Sequence, residues 1–386
     1  MRFPRPGLEA EFDSVMTGGA GATLFGLRRI GKSSEAMACA ERLEALPQCV
    51  ICEDAQGMTS EAQLLFSILK KLPPQGIGKL ILERICSDDG ITKTVKAMLG
   101  SRAKIELKSV EDYFGPIVAA IERSILSVPS SERIVLIIDE LPWLCRGILE
   151  GEPQRGASRV DLLLAVLRRW RVAGMRMLLL GSIGLKGLGR EHRLDLTHLN
   201  DLTPLSVPPF EVHEAAAFVN ALAAGGGVQG WTEGHTHALL GESAAFYPSM
   251  LQRAFQQVTI GRMAAEVSRF PEIFAVKVRP DLDANFYQQF DRRRKLYKKL
   301  PEPLPRLLEK LCKAVLSSSG GALPFDELQN LAGSETDDAD LGEALGILRE
   351  DGFLDVRVER DGSQHWRVAS SLVAAWWKRR KGGARQ

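Results

Sequence analysis

The stretch Thr23-Leu24-Phe25-Gly26-Leu27-Arg28-Arg29-Ile30-Gly31-Lys32-Ser33-Ser34 constrains this chain more than any other. It fits G-x-x-x-x-G-K-[ST], the pattern of a phosphate-binding loop. Gly26 and Gly31 let the backbone curl so that its N–H groups face phosphate oxygens. Lys32 supplies a point charge for the β- and γ-phosphates. The Ser33 hydroxyl is a hard oxygen ligand suited to Mg²⁺. A helix-forming run starts at Lys32 and adds its positive dipole end. A glycine-rich turn before any helix could carry similar letters. The short apolar strand Ala22 to Phe25 entering the loop, and the helix leaving it, favour the phosphate loop. The candidate nucleotide-binding residues are therefore Gly26, Arg29, Gly31, Lys32, Ser33 and Ser34.

A second stretch completes the first. Arg133-Ile134-Val135-Leu136-Ile137-Ile138-Asp139-Glu140 is a continuous apolar run ending in two carboxylates. Such a run reads as a strand buried on both faces. At its C-terminal end Asp139 can hold magnesium through water, and Glu140 can act as general base on an attacking water. A polar strand end or helix cap is the plainer alternative, weakened by the phosphate loop upstream. Ser33 and Asp139 are the candidate metal residues; Glu140 and Ser182 are the candidate catalytic pair. Two adjacent acids predict a hydrolysing P-loop ATPase, with an extra strand between the Walker A and Walker B strands. Arg176 to Ser182 reads as another buried strand, ending in Gly-Ser. Ser182 fits a sensor of the γ-phosphate or its water; a small residue allowing a tight turn is the other reading.

Composition narrows the setting. The chain has 386 residues, 45% apolar and 25% charged, with a net charge of +2, which gives no global pull toward nucleic acid or membrane. No apolar run reaches the length of a membrane span, and the N-terminus lacks a signal-peptide core, so a cytoplasmic protein is expected. Six cysteines are scattered. Cys49-x-x-Cys52 brackets a strand, which predicts thiols on opposite faces and no zinc site. His235-x-His237 is too isolated for a metal.

The remaining chain supplies organisation. Further strands are expected at Cys49 to Glu53 and Leu199 to Leu205, helices over most of 60–130 and over Leu162 to Trp170, and a mobile loop at 151–160. Helix is expected over Glu211 to Ala224, a flexible break at Gly225-Gly226-Gly227, and helix again over 231–260 with Tyr247-Pro248 in its middle. The last third predicts three helices (Leu304 to Leu316, Leu323 to Leu331, Asp338 to Glu350) and a β-hairpin turning at Asp361-Gly362, the pattern of a winged helix-turn-helix. A basic tail runs from Lys378 to Arg385.

Taken together, G-L-R-R-I-G-K-S-S at 26–34, L-I-I-D-E-L at 136–141, L-L-G-S at 179–182, P-L-S at 204–206 and E-x-x-E-A at 211–215 resemble the AAA-type ATPases of the archaeal-ATPase and STAND group, relatives of Orc/Cdc6. The resemblance covers nearly the whole chain. It implies a three-layer α/β P-loop core at 1–210, a lid at 211–290 and a winged-helix domain with basic tail at 291–386. It also implies ATP with Mg²⁺ as a conformational switch, nucleotide-dependent oligomers, and the company of mobile-element or defence systems. Pro4 to Glu9 resembles the segment near the adenine, and Tyr247-Pro248 keeps only the proline of the lid pattern. Arg190 and Arg193 stand where an arginine finger would be sought but read as solvated loop arginines.

Two functions are expected from these features. One is an ATP-driven switch that regulates a protein partner. The other is an ATP-controlled DNA-binding protein, a loader or a replication or transposition regulator, touching phosphates through Arg292-Arg293-Arg294-Lys295 and the tail. The presumed recognition helix carries Asp338, Asp340, Glu343 and Glu350 with only Arg349 positive, which disfavours base reading.

Overall fold

The computed structural model describes residues 3–45, 49–87, 107–129, 134–333, 337–359 and 361–383. Arg133, the stretch near Ser101-Arg102, and Arg385 of the tail lie outside them. The chain divides into two units, Arg2–Phe25 with Lys32–Ser206, and Gly26–Gly31 with Val207–Gln386.

The first unit opens with α1 (Pro6–Gly18), β1 (Gly21–Phe25), α2 (Lys32–Glu44) and β2 (Cys49–Asp54). It continues with α3 (Glu61–Lys71), α4 (Gly76–Ser87), α5 (Leu107–Asp112), α6 (Phe114–Leu126) and β3 (Ile134–Asp139). Then come α7 (Leu141–Gly151), α8 (Gly156–Ala173), β4 (Arg176–Gly181), α9 (Lys186–His192) and β5 (Thr203–Pro204). The five strands form one sheet in the order β2-β3-β4-β1-β5. Every pairing is parallel. β4 thus stands between the phosphate-loop strand β1 and the acid-bearing strand β3, the inserted strand that the paired carboxylates predict. β3 and β4 can be continuous apolar runs because helices cover both faces. On one face Leu136, Ile138, Met177 and Leu179 pack with Leu64, Ile68, Ile121, Leu144 and Leu167 of α3, α6, α7 and α8. On the other α1 and α2 lie against the sheet and are clamped together, Arg42 Nε donating to Asp13 Oδ2 at 2.8 Å.

Parallel strands bring their C-terminal ends to one edge, and ligands of such sheets bind there. Asp139 pairs with Asp54, and Phe25 with Gly181. The end of β1, the two acids at the end of β3 and the serine after β4 therefore share that edge.

Two expectations change. The segment 151–160 narrows to a turn at 152–155, because α8 already starts at Gly156. Arg159 bridges Glu61 (2.7 Å) and Glu152 (2.5 Å) and so ties the turn down. The final strand shrinks to Thr203–Pro204, because Leu196–Leu199 forms a 3₁₀ turn. That turn is held by buried Arg171, which pairs with Asp201 at 2.8 Å. Proline is tolerated in β5 because it is an edge strand.

The second unit begins with α10 (Val212–Gly225), α11 (Glu233–Glu242), α12 (Pro248–Val258) and the small hairpin β6 (Thr259–Ile260) and β7 (Met263–Ala264). A long helical stretch follows: α13 (Phe270–Ile273), α14 (Arg279–Leu282) and α15 (Gln288–Tyr297), joined by π-helical turns at Phe274–Val278 and Asp283–Tyr287. The last part is α16 (Leu304–Ser317), β8 (Ala322–Pro324), α17 (Phe325–Ala332), α18 (Asp338–Glu350), β9 (Leu354–Val358), β10 (Gln364–Val368) and α19 (Ser371–Gly383). Its strands form an antiparallel sheet in the order β8-β10-β9. Phe353 joins this module to α15, with ring centroids 5.3 Å from Phe290 and 5.6 Å from Trp376.

The six cysteines are free thiols. Cys49 and Cys52 lie at opposite parity on β2, and burial pushes the Cys49 thiol up to about 11. Among the described residues no group of three His, Cys, Asp or Glu converges on a metal, and no helix is long and apolar enough to cross a membrane.

Gly21 faces Met177 across the β1–β4 pair with φ +132°, and a Cβ there would run into the Met177 backbone. Gly21→Ala is therefore expected to destabilise the protein by about 1–3 kcal/mol, read as a lowered urea midpoint. An unchanged midpoint would contradict this packing.

Candidate functional site

The geometry starts where β3 ends. Asp139 Oδ2 accepts a hydrogen bond from Ser33 Oγ at 2.5 Å, across 106 residues of chain. Asp139 Oδ1 accepts from the Glu140 backbone N–H at 2.9 Å, and its carbonyl accepts from Ala55 N–H at 2.9 Å. The carboxylate is thus held at both oxygens and its backbone at the carbonyl, with the first turn of α2 against the side chain. Lys32 and Ser33 open that helix; Lys32 is buried to 6% exposure, while Ser33 and Ser34 are exposed. A buried ammonium at a helix N-terminus beside exposed hydroxyls is a donor set for phosphate.

Glu140 sits in the left-handed region, φ 57° and ψ 33°, as the N-cap of α7. For a residue with a Cβ this costs about 1–2 kcal/mol. Its Oε2 accepts from Ser182 N–H at 2.9 Å and from Ser182 Oγ at 2.8 Å. The acid after β3 is therefore held by the serine after β4.

That meeting needs a glycine. A Cβ on Gly181 would lie 2.5 Å from Pro142 Cδ and 2.6 Å from Pro142 Cγ. Gly181 lets the first turn of α7 close onto the end of β4, which brings Glu140 and Ser182 within reach. Gly181 gives the clearance, and Ser182, 2% exposed, gives the polar contact to Glu140.

The preceding loop residues make their own set of contacts within the second unit. Gly26, Arg29 and Gly31 have φ 151°, 67° and 108°, so the loop curls as the glycine spacing requires. The Arg28 backbone N–H donates to Gln289 Oε1 at 2.9 Å. Arg29 Nη1 donates to Asn285 Oδ1, and the Arg29 carbonyl accepts from Ser249 Oγ. Arg293 donates to the Gly26 carbonyl at 3.4 Å and pairs with Asp351, Nε to Oδ1 3.6 Å. This takes Arg293 and Arg294 out of the basic run Arg292 to Lys295 as a phosphate surface and leaves Arg292 and Lys295 exposed. Arg293 is buried at 3% exposure, and Arg294 is paired with Glu309 at 2.5 Å. Burial and the neighbouring Asp351 carboxylate push the Tyr297 phenol well up, and its OH donates to Asp351 Oδ2 at 2.8 Å.

The structure thus brings together Ser33, Asp139, Glu140 and Ser182. Arg190 lies in α9, and Arg193 is its left-handed C-cap. Three participants escape a reading of the sequence. Trp143 looks like one more apolar residue of α7, yet its Nε1–H donates to Ser182 Oγ at 2.9 Å. Gln289 and Asn285 lie some 260 residues from the loop they touch, in no motif; only the π turn at Asp283–Tyr287 marks their stretch.

Several solved structures are similar to this chain. The Walker-type ATPase PABY2304 of Pyrococcus abyssi is similar over 98% of this chain and 96% of its own, at 16% identity and TM-score 0.51. The ORC2 protein of Aeropyrum pernix in its ADP form matches over 97% and 92%, at 14% identity and TM-score 0.47. Cdc6p of Pyrobaculum aerophilum matches over 98% and 94%, at 12% identity and TM-score 0.39. No family model matches the chain, and no curated protein does.

Gly181→Ala is expected to cost about 1–3 kcal/mol of stability through overpacking against Pro142, read by urea unfolding; a neutral effect would mean the two segments are not pressed together. The sheet order, the phosphate-loop pattern on β1 and the match to PABY2304 converge on one fold: this chain has the fold of a P-loop, Walker-type ATPase.

Proposed function

We propose that this chain binds ATP with Mg²⁺ through Gly26, Arg29, Gly31, Lys32, Ser33 and Ser34, hydrolyses it slowly, and uses the cycle as a cytoplasmic switch acting on a protein partner. One observation carries the reading: a hydroxyl at the start of α2 meets the Asp139 carboxylate at 2.5 Å, beside a second carboxylate that Ser182 holds in place. Hard oxygens from Ser33 and Asp139 fit magnesium and would hold it. When bound, the cation would neutralise charge on the phosphates. Lys32 and the N-terminal amides of α2 would orient the phosphates. Glu140 would take the proton of the attacking water, and Ser182 would fix the direction of that carboxylate.

The choice of a protein partner rests on α18. Its exposed and half-exposed polar residues include Asp338, Asp340 and Glu343, with Arg349 the one cation on the helix. We read the surrounding three-helix and three-strand module as a winged helix whose presumed recognition helix repels phosphate. A second reading, DNA contact without base recognition, is favoured by exposed Arg292, Lys295, Lys298, Lys299, Lys310 and Lys313 on and around α15 and α16, with Lys378 beyond. Such binding would weaken steeply with salt. Changing Lys295, Lys299 and Lys310 to Glu should then abolish retention of duplex DNA, whereas Arg349→Ala should leave it.

ATP with Mg²⁺ at a hundredfold excess over Kd is expected to stabilise the protein by about 2.7 kcal/mol, and Lys32→Ala should remove that shift in thermal unfolding. A shift that persists in the variant would place nucleotide elsewhere. Glu140→Gln should keep the ATP-induced shift but lower turnover by about 10²- to 10⁴-fold; wild-type turnover in this variant would overturn the assignment of the base.

A further inference from the structure

Ser182 does not set the direction of its own hydroxyl. A serine oxygen carries one hydrogen and two acceptor lone pairs, and the hydrogen rotates to suit its surroundings. Trp143 Nε1–H reaches that oxygen at 2.9 Å. An indole N–H can only donate. Ser182 Oγ therefore accepts on the Trp143 side, and its hydrogen is directed to Glu140 Oε2 at 2.8 Å.

Trp143 is itself fixed in place. It lies three residues after Glu140, and its backbone N–H donates to the Glu140 carbonyl at 2.9 Å. The Arg146 guanidinium lies over its ring, 5.6 Å from the centroid. Arg146 is in turn held by Glu150, Nε to Oε1 2.8 Å. The indole, the hydroxyl and the carboxylate form a chain whose donors all run one way, from Trp143 through Ser182 to Glu140.

We propose that Trp143 is a positioning residue for hydrolysis: by orienting the Ser182 hydroxyl it holds the Glu140 carboxylate in the direction from which it takes the water proton. The proposal rests on the reading of Glu140 as base. In that step the water oxygen bonds to the γ-phosphorus as the bond from that phosphorus to the β–γ bridging oxygen breaks. The electron pair leaves with ADP, and the proton passes to Glu140. In this role Trp143 acts through Ser182 rather than on the water or the nucleotide. Its loss should lower kcat and leave nucleotide affinity alone.

The test is a double-mutant cycle on the full chain, with ATP turnover and ATP affinity measured for every variant. Trp143→Phe keeps a ring under Arg146 and deletes the donor. It should lower kcat about tenfold and change ATP affinity by less than about twofold. Ser182→Ala should lower kcat by at least as much. The double variant should match Ser182→Ala, since residues acting in series are not additive. Multiplying losses, wild-type kcat in Trp143→Phe, or an affinity loss as large as the kcat loss would each overturn the proposal. Should Trp143→Phe fold poorly, benzothienylalanine at position 143 keeps the bicyclic shape with sulfur in place of N–H and must give the same kcat loss. Glu140→Gln, run alongside, separates the two readings. If it turns over normally, the base assignment and this inference fall together. If it is inactive while Trp143→Phe is fully active, only the positioning role falls.

Discussion

The arrangement depends on how closely α7 approaches the end of β4. Pro142 presses on the position where Gly181 has no side chain, and that contact lets Ser182 reach Glu140 with both its amide and its hydroxyl. The left-handed backbone at Glu140 follows from the same constraint, because the chain must turn from strand to helix within one residue while its side chain faces Ser182. A residue with a Cβ at φ 57° persists only where its surroundings over-determine it, and such positions cluster at functional sites. Strand packing thereby places two acids, a serine and an indole at one edge of the sheet.

Much of this was legible in the sequence for a simple reason. A parallel sheet buried on both faces writes itself as continuous apolar runs, and both Ile134–Asp139 and Arg176–Gly181 are such runs. The loop glycines are legible because only glycine reads so clearly as positive φ. β5 is shorter than its sequence suggests because Leu199 and Leu202 look like strand residues, while the 3₁₀ turn before it depends on Arg171, a partner distant in sequence. The polar residues before α8 suggest a loop in sequence and hide the ion-pair bridge that Arg159 makes. Trp143 was illegible for a different reason: its ring packs as an apolar group, and its polar end shows only once Ser182 is placed beside it. Arg293 misled in the opposite sense. It sits in a run of cations, yet it is buried against Asp351 and the Gly26 carbonyl.

Within the second unit, the curled loop residues are engaged as fully as the acids are in the first. Gln289 caps the Arg28 amide, Asn285 holds the Arg29 guanidinium, and Ser249 donates to the Arg29 carbonyl. Asn285 belongs to a π turn and is tied to Asp281, which also pairs with Arg253 at 2.9 Å. The loop that names the fold is therefore written into a network of side chains that no motif describes. Their placement is a matter of tertiary packing, and only the structure shows it.

The central claim is that Ser33, Asp139, Glu140 and Ser182 form a magnesium–nucleotide site. A crystal structure of the protein with Mg²⁺ and a non-hydrolysable ATP analogue tests it most directly. The account requires Ser33 Oγ to leave Asp139 for the cation, at about 2.0–2.1 Å, with the phosphates on the N-terminal amides of α2 and Glu140 still held by Ser182. Nucleotide bound at another place, or Ser33 still donating to Asp139 with the analogue present, would contradict it.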